Sequence, residues 1–196
     1  MQSHSSPSSW RAISIPNILT VLRILLIPLL VIFLIKGQML EALLVFAVAG
    51  VSDGLDGFIA RYFNQRTDLG AYLDPVADKL LLMSAYVTMA ELTLIPAWLA
   101  VIVISRDVII VMGVLLLRLI GVSYEIKPSL ASKLTTLVQL LTVFLVLLNT
   151  IFERHELLHE WYFWLTAALT AVSGLHYVYK GMTLYHNSGG DTPRGA

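Results

Sequence analysis

Long apolar runs, separated by short polar segments, are the dominant pattern of this chain. A membrane-spanning helix needs about 20 mainly apolar residues, and six stretches of the chain have that character. They are Ile13–Ile35, Leu40–Ala60, Leu69–Leu92, Ile95–Leu117, Leu130–Phe152 and Trp161–Leu184. The pattern therefore predicts an all-α, polytopic membrane protein with six transmembrane helices.

The polar ends of the chain set the expected domain organisation. Residues 1–9 are mostly Ser, His and Pro and lack the basic start of a cleavable signal peptide. We expect a disordered or interfacial N-terminus over 1–12, a single six-helix domain over 13–186, and a disordered tail over 187–196. The sequence contains no recognisable internal repeat.

Composition narrows the class of protein further. The chain has 196 residues, is 57% hydrophobic and 13% charged, has a formal net charge of zero and contains no cysteine. Disordered chains combine low hydrophobicity with high net charge, and nucleic-acid-binding proteins carry a basic excess. Both classes are excluded, as is a disulfide scaffold, and no nucleic-acid partner is expected.

The distribution of Lys and Arg between the loops predicts the orientation in the bilayer. With the N-terminus inside, eight basic residues fall in inner segments, namely Arg11, Arg61, Arg66, Arg118, Lys127, Lys133, Lys180 and Arg194. The outer segments hold only Lys36 and Arg154. By the positive-inside rule, we expect a multi-pass protein of the inner (cytoplasmic) membrane with both termini in the cytoplasm.

Five of the thirteen acidic residues fall between Asp53 and Asp78, around the second inner loop, and four of them form two pairs. Asp53 and Asp56 are three residues apart on the second predicted helix, and Asp74 and Asp78 are four apart on the third. Either spacing puts both side chains on one helical face. Because a short loop makes the two helices antiparallel neighbours, the four carboxylates are expected to converge near the cytoplasmic end.

Carboxylates at that density repel one another unless their pKa values rise or cations bind. Oxygen ligands without cysteine favour a hard cation, Mg²⁺ or Mn²⁺, and two such ions would suit phosphate chemistry. The simpler alternative for any one of these aspartates is a salt bridge with Lys79, Arg61 or Arg106. Four acids at this spacing favour the metal interpretation, because ionisable residues inside spans are costly and usually functional.

The pattern Asp-x2-Asp-Gly-x2-Ala-Arg-x8-Gly-x3-Asp-x3-Asp, from Asp53 to Asp78, resembles the signature of the CDP-alcohol phosphatidyltransferases. The resemblance extends to Pro16–Arg23, Ser105–Asp107 and Ser132–Thr136, and six helices is the number in that family. It implies an active site facing the cytoplasm, where an acceptor hydroxyl attacks the β-phosphorus of CDP-diacylglycerol and CMP is released. It also implies a homodimer.

The resemblance assigns roles to particular residues. It implies that Asp53, Asp56, Asp74 and Asp78 hold two divalent ions, and that Asp78 is the catalytic base. Positions similar to those that bind the CDP-lipid are Asn17, Thr20, Gly57, Arg61, Thr67 and Gly70. Arg61 can neutralise phosphate oxygens with its forked donors.

A basic group on the fourth and fifth helices is the candidate acceptor site. It consists of Arg106, Arg118, Lys127 and Lys133, with Thr135 and Thr136 following Lys133. For Arg118 and Lys127, positive-inside topology alone is an equal explanation. Together the group predicts an acceptor alcohol that carries a phosphate.

Glycerol 3-phosphate and phosphatidylglycerol both satisfy that description. The Ser105–Asp107 and Ser132–Thr136 segments resemble cardiolipin synthases. The first helix and the Leu73–Lys79 segment resemble both cardiolipin synthases and glycerophosphate phosphatidyltransferases. We expect a phosphatidylglycerophosphate synthase, with cardiolipin synthase as the alternative. A small non-enzymatic membrane carrier is a further alternative, but carriers tend to have repeats and acids near the midplane, unlike this chain.

Overall fold

The computed structural model of the protein describes residues 15–62, 68–119, 130–152 and 160–188. Within them, the side chains at 15–18, 53–62, 68–75, 114, 117–119, 130–131 and 184–188 are not part of the description. Six helices occur there, and no strand does: α1 Ile15–Ile35, α2 Met39–Tyr62, α3 Asp68–Glu91, α4 Ala97–Leu119, α5 Leu130–Ile151 and α6 Glu160–Ser188.

These helices confirm the predicted all-α class. Each begins and ends within four residues of the corresponding apolar stretch. The expected disordered segments fall outside the described residues, except that α6 continues through Ser188.

Two of the connections are tight C-terminal caps. After α1, Gly37 has a φ of 70°, and its N–H donates to the carbonyl of Leu34 at 3.0 Å, while Gln38 donates to Phe33 at 2.9 Å. This is the Schellman arrangement, which satisfies the last carbonyls of a helix. After α3, Thr93 takes the same place with a φ of 57°, a conformation that is costly for a β-branched residue.

The chain divides into two compact units, Met1–Thr88 and Met89–Ala196. In the first unit, α1 packs against α2. The buried apolar side chains there include Leu30, Leu34, Phe46 and Leu81. They recur at three- and four-residue intervals along their helices, as one buried face of a helix requires.

In the second unit, α6 packs against both α4 and α5. The buried apolar side chains of this unit include Leu99 and Val103 on α4 and Val143 and Leu147 on α5. Near the start of α4 and α6, the rings of Trp98 and Trp164 stack with centroids 4.6 Å apart.

Buried polar side chains and exposed apolar side chains accompany this apolar core. Arg23, Arg106, Asp107 and Gln139 are buried, whereas large apolar side chains such as Leu25, Val101 and Leu175 are exposed. Buried polar groups together with an exposed apolar surface are the informative departures from ordinary burial. This surface is the one that a protein surrounded by lipid needs.

Length and composition identify one clear candidate membrane span among the described residues, Ser132–Ile151. Two shorter apolar helical segments, Leu19–Ile35 and Met39–Ser52, precede it in the chain.

Candidate active site

The four aspartates of the predicted metal site lie on two helices of the first unit. Asp53 and Asp56 are on α2, and Asp74 and Asp78 are on α3. The helical backbone therefore preserves the three- and four-residue spacings that place each pair on one face. The side chains of Asp53, Asp56 and Asp74 lie outside the description, whereas that of Asp78 is described.

Asp78 has a partner on another helix. Its Oδ1 accepts a hydrogen bond from Nη1 of Arg23, which lies 55 residues earlier on α1. The Arg23 side chain is 1% exposed and that of Asp78 is 41% exposed. A buried cation thus holds a carboxylate that remains open to its surroundings on one side.

The predicted CDP-lipid residues divide between α1 and the α2–α3 region. Thr20 is completely buried on α1, one turn before Arg23. For four of the others only the backbone is described, namely Asn17 on α1, Gly57 and Arg61 on α2, and Gly70 on α3. Thr67 falls outside the described residues.

The donor chemistry of the predicted metal site fits a hard divalent cation. The four signature aspartates, among five carboxylates within 26 residues of a chain without cysteine, make an oxygen-only ligand set. Mg²⁺ and Mn²⁺ prefer such ligands. Among the described side chains, no group of three or more His, Cys, Asp or Glu is placed to hold a metal ion. Since three of the four proposed ligands are outside that set, the metal site stays a prediction.

The second unit contains a buried charged cluster centred on Arg106 of α4. Its Nη1 donates to Oδ1 of Asp107 at 2.7 Å, and its Nη2 donates to Oγ of Ser132 on α5 at 2.8 Å and to Oγ of Ser173 on α6 at 2.9 Å. Arg106 and Asp107 are 3% and 2% exposed. The guanidinium therefore joins three helices, and an acidic neighbour compensates its charge.

Helix α6 fits closely against the side chain of Arg106. A Cβ at Gly174 would lie 3.3 Å from Cγ of Arg106, so the arginine stem crosses α6 where that helix has no side chain. The Nε of Arg106 is buried and has no hydrogen-bond partner among the described residues.

The other predicted acceptor residues lie on α4, on α5 and between these two helices in the sequence. Lys133 is exposed and directly follows Ser132 at the start of α5. Arg118 lies near the end of α4, with its side chain outside the description, and Lys127 falls outside the described residues. Of the four, Arg106 and Lys133 are thus the ones whose side chains can be placed.

Polar side chains continue from the Arg106 cluster along the α5–α6 contact. Gln139 Nε2 donates to Oγ1 of Thr170 at 3.1 Å, and the hydroxyls of Thr142 and Thr166 are 3.1 Å apart. All four are completely buried. In a lipid surrounding, such hydrogen bonds and close packing, rather than hydrophobic burial, hold helices together.

Sequence reasoning missed three residues of these clusters, namely Arg23, Ser173 and Gly174. Arg23 offered a signal, because it is the only charged residue in an otherwise apolar first helix, and such a charge needs a counter-charge. The sequence suggested Lys79, Arg61 or Arg106 as the salt-bridge partner of such an aspartate, and it did not suggest the contact between Asp78 and Arg23. Ser173 and Gly174 have no distinguishing sequence signal.

The described residues form six helices, with one cluster of paired charges in each unit. Residues 13–172 match the family model described as CDP-alcohol phosphatidyltransferase. The match covers well over half of the chain, and the chain belongs to this family. The family is membrane-associated.

Several curated proteins are similar over most of the chain. Human cardiolipin synthase (CMP-forming) is 37% identical over 185 residues, covering 86% of this chain and 62% of the human protein. The CDP-diacylglycerol–glycerol-3-phosphate 3-phosphatidyltransferase of Bacillus subtilis is 32% identical over 184 residues, covering 85% of this chain and 94% of that protein. This chain thus spans about three fifths of the length of the human relative and nearly all of the Bacillus one.

Proposed function

We propose that this protein is a phospholipid-synthesising transferase that moves the phosphatidyl group of CDP-diacylglycerol to an acceptor hydroxyl and releases CMP. The observation that carries the proposal is the full signature from Asp53 to Asp78, held on two helices of a chain that belongs to this family. Glycerol 3-phosphate is the proposed acceptor, which makes the protein a phosphatidylglycerophosphate synthase. The near-complete coverage of the Bacillus relative supports this choice.

In the proposed reaction, Asp78 accepts the proton of the acceptor hydroxyl. The oxygen so activated bonds to the β-phosphorus of CDP-diacylglycerol, and the bond from that phosphorus to the bridging oxygen breaks, so that CMP leaves. Asp53, Asp56, Asp74 and Asp78 would hold two divalent ions, Mg²⁺ or Mn²⁺. When bound, these ions would neutralise the diphosphate and stabilise charge on the leaving group.

The remaining residues of the signature bind rather than react. Arg61 would place its forked donors against phosphate oxygens, and Gly57 and Gly70 would let the nucleotide approach the helix backbone. Asn17, Thr20 and Thr67 complete the proposed CDP-lipid contacts.

For the acceptor phosphate we propose the basic group of Arg106, Lys133, Arg118 and Lys127. Lys133 is exposed and able to pair directly with a phosphate. Arg106 is buried and already donates to Asp107, Ser132 and Ser173, so we place it behind Lys133, as a fixed positive charge of this group.

The test measures CMP release by purified full-length protein in detergent micelles with CDP-diacylglycerol and MgCl₂. Glycerol 3-phosphate should support turnover, and Asp78→Asn on α3 should abolish it. Glu41→Gln is the carboxylate-to-amide control, because Glu41 lies at the start of α2 and outside the signature, and this variant should retain turnover. Absence of CMP release with either glycerol 3-phosphate or phosphatidylglycerol would refute the transferase and favour a non-enzymatic carrier.

Cardiolipin synthase is the second candidate, supported by the 37% identity with the human enzyme of that name. The same assay separates the two, because each acceptor gives a different lipid product. Turnover with phosphatidylglycerol and none with glycerol 3-phosphate would establish the second candidate in place of the first.

We further propose six membrane spans, a cytoplasmic active site, both termini in the cytoplasm of an inner-membrane protein, and a homodimer. The chain has no cysteine, so a single introduced cysteine is the one thiol of this protein that a reagent can label. Gln38→Cys should react with an impermeant thiol reagent added outside intact cells, and Lys127→Cys only after permeabilisation. The reverse pattern would refute the orientation, and a monomeric mass in light scattering would refute the dimer.

A further inference from the structure

The first helix contains a single charged residue, and that residue is completely buried. Arg23 is the only charge between Ile15 and Ile35 and is 0% exposed. It shares one face of α1 with the buried side chains of Thr20, Leu30 and Leu34. An ionised side chain in such a place is costly unless it is paired, so its partner is a structural requirement.

One partner of Arg23 is the carboxylate that the proposed mechanism uses as a base. Arg23 Nη1 donates to Oδ1 of Asp78, which joins α1 to α3 within the first unit. The two side chains differ sharply in exposure, at 1% for Arg23 and 41% for Asp78. The carboxylate in this ion pair thus keeps accessible surface of its own, beside the contact with Arg23.

The chemistry of the guanidinium also favours a positioning role. Arginine carries fixed, planar donors that define the orientation of a bound carboxylate, whereas lysine is a point charge on a flexible stem. A base must lie within hydrogen-bond reach of the proton it removes, and a displacement of about 1 Å can lower a rate about 100-fold. A rigid donor from a buried helix face meets that requirement.

We propose that Arg23 is a positioning residue that holds the Asp78 carboxylate in its reactive orientation. Arg23 touches neither the reacting atoms nor the acceptor in this proposal and acts through Asp78. The inference rests on the proposed function, in which Asp78 is the base.

The kinetic test uses Arg23→Met, which keeps an unbranched stem and removes the donors, together with Arg23→Lys. For Arg23→Met we expect kcat to fall about 100-fold, with the KM for CDP-diacylglycerol within about threefold of the unchanged chain. Arg23→Lys should recover part of the loss. Leu30→Ala is the matched control, because it removes another buried side chain of α1 and should lower Tm while leaving kcat unchanged below Tm.

A second measurement tests the ion pair without any turnover. In thermal unfolding of the full chain in detergent, the Tm loss caused by Arg23→Met should be smaller by a few degrees in an Asp78→Ala background, which lacks the acceptor oxygens. Equal losses in both backgrounds would show that the two side chains do not interact and would overturn the proposal. If Arg23→Met does not accumulate as folded protein, Arg23→Lys carries both measurements.

The outcomes separate this inference from the function on which it rests. No CMP release by the unchanged chain would refute the transferase and the positioning role together. Normal turnover by the unchanged chain and an unchanged kcat in Arg23→Met would refute the positioning role alone, even with coupled stabilities. Equal loss of kcat in Leu30→Ala would likewise show a general packing effect and overturn the proposal.

Discussion

Replacing Gly174 with alanine tests how closely α6 fits around the buried guanidinium of Arg106. The added Cβ would lie 3.3 Å from Cγ and 3.8 Å from Cβ of Arg106. The shorter separation is tighter than most carbon contacts, so one group must move by a few tenths of an ångström. The arginine cannot shift freely, because its Nη atoms are held by Asp107, Ser132 and Ser173.

Two opposing terms set the expected change in stability. Alanine is favoured over glycine inside a helix by about 0.8–1.0 kcal/mol, whereas overpacking a filled site costs about 1–3 kcal/mol. Gly181 lies on the same helix with nothing within 4 Å of its added Cβ, so Gly181→Ala has only the first term. The difference between the two variants therefore isolates the packing cost.

The assay compares thermal unfolding of the two variants in the same detergent and at the same scan rate, followed by circular dichroism. A chain of this size shifts its Tm by about 2–4 °C for each kcal/mol. Gly174→Ala should therefore unfold below Gly181→Ala by about 2–12 °C. Equal Tm values for both variants would refute the close fit between α6 and Arg106.

Three further outcomes follow from the same structure. Thr93→Gly should raise Tm, since the left-handed conformation at φ 57° costs a residue with a Cβ about 1–2 kcal/mol; a lower Tm would contradict this account of the α3–α4 cap. Lys133→Gln should raise the KM for glycerol 3-phosphate several-fold while Lys36→Gln does not, as measured by CMP release; an unchanged KM would remove Lys133 from the acceptor site. Gln139→Leu should lower stability by about 0.6 kcal/mol, the average for a hydrogen bond between membrane helices, because it breaks the bond to Thr170; unfolding at the same Tm as the unchanged chain would show that this bond adds nothing.

The helices and the class of chemistry could be predicted from sequence because both depend on local spacing. Apolar length alone located all six helices, since the cost of unpaired backbone groups in lipid leaves few alternatives to a helix. The four aspartates were recognisable for the same reason, because separations of three and four residues act within one helix. Membership of the family confirmed the resemblance that this spacing indicated.

Partners between helices could not be predicted in this way. Arg23 and Asp78 are 55 residues apart, and Arg106 meets a serine 26 residues later and another 67 residues later. No periodicity connects such positions, because the contacts depend on how helices rotate and pack. The sequence indicated only that buried charges at 23 and 106 would need compensation.

By itself, the sequence determined the all-α class, the carboxylate signature and the family that this signature indicates. Tertiary structure alone decided that the proposed base is held by an arginine from α1, and that Arg106 lies among Asp107, Ser132 and Ser173 rather than open to its surroundings. The physical reason is the range of the forces involved. Helix formation and same-face spacing act over a few neighbouring residues, whereas the pairing of a buried charge is settled only when distant helices meet.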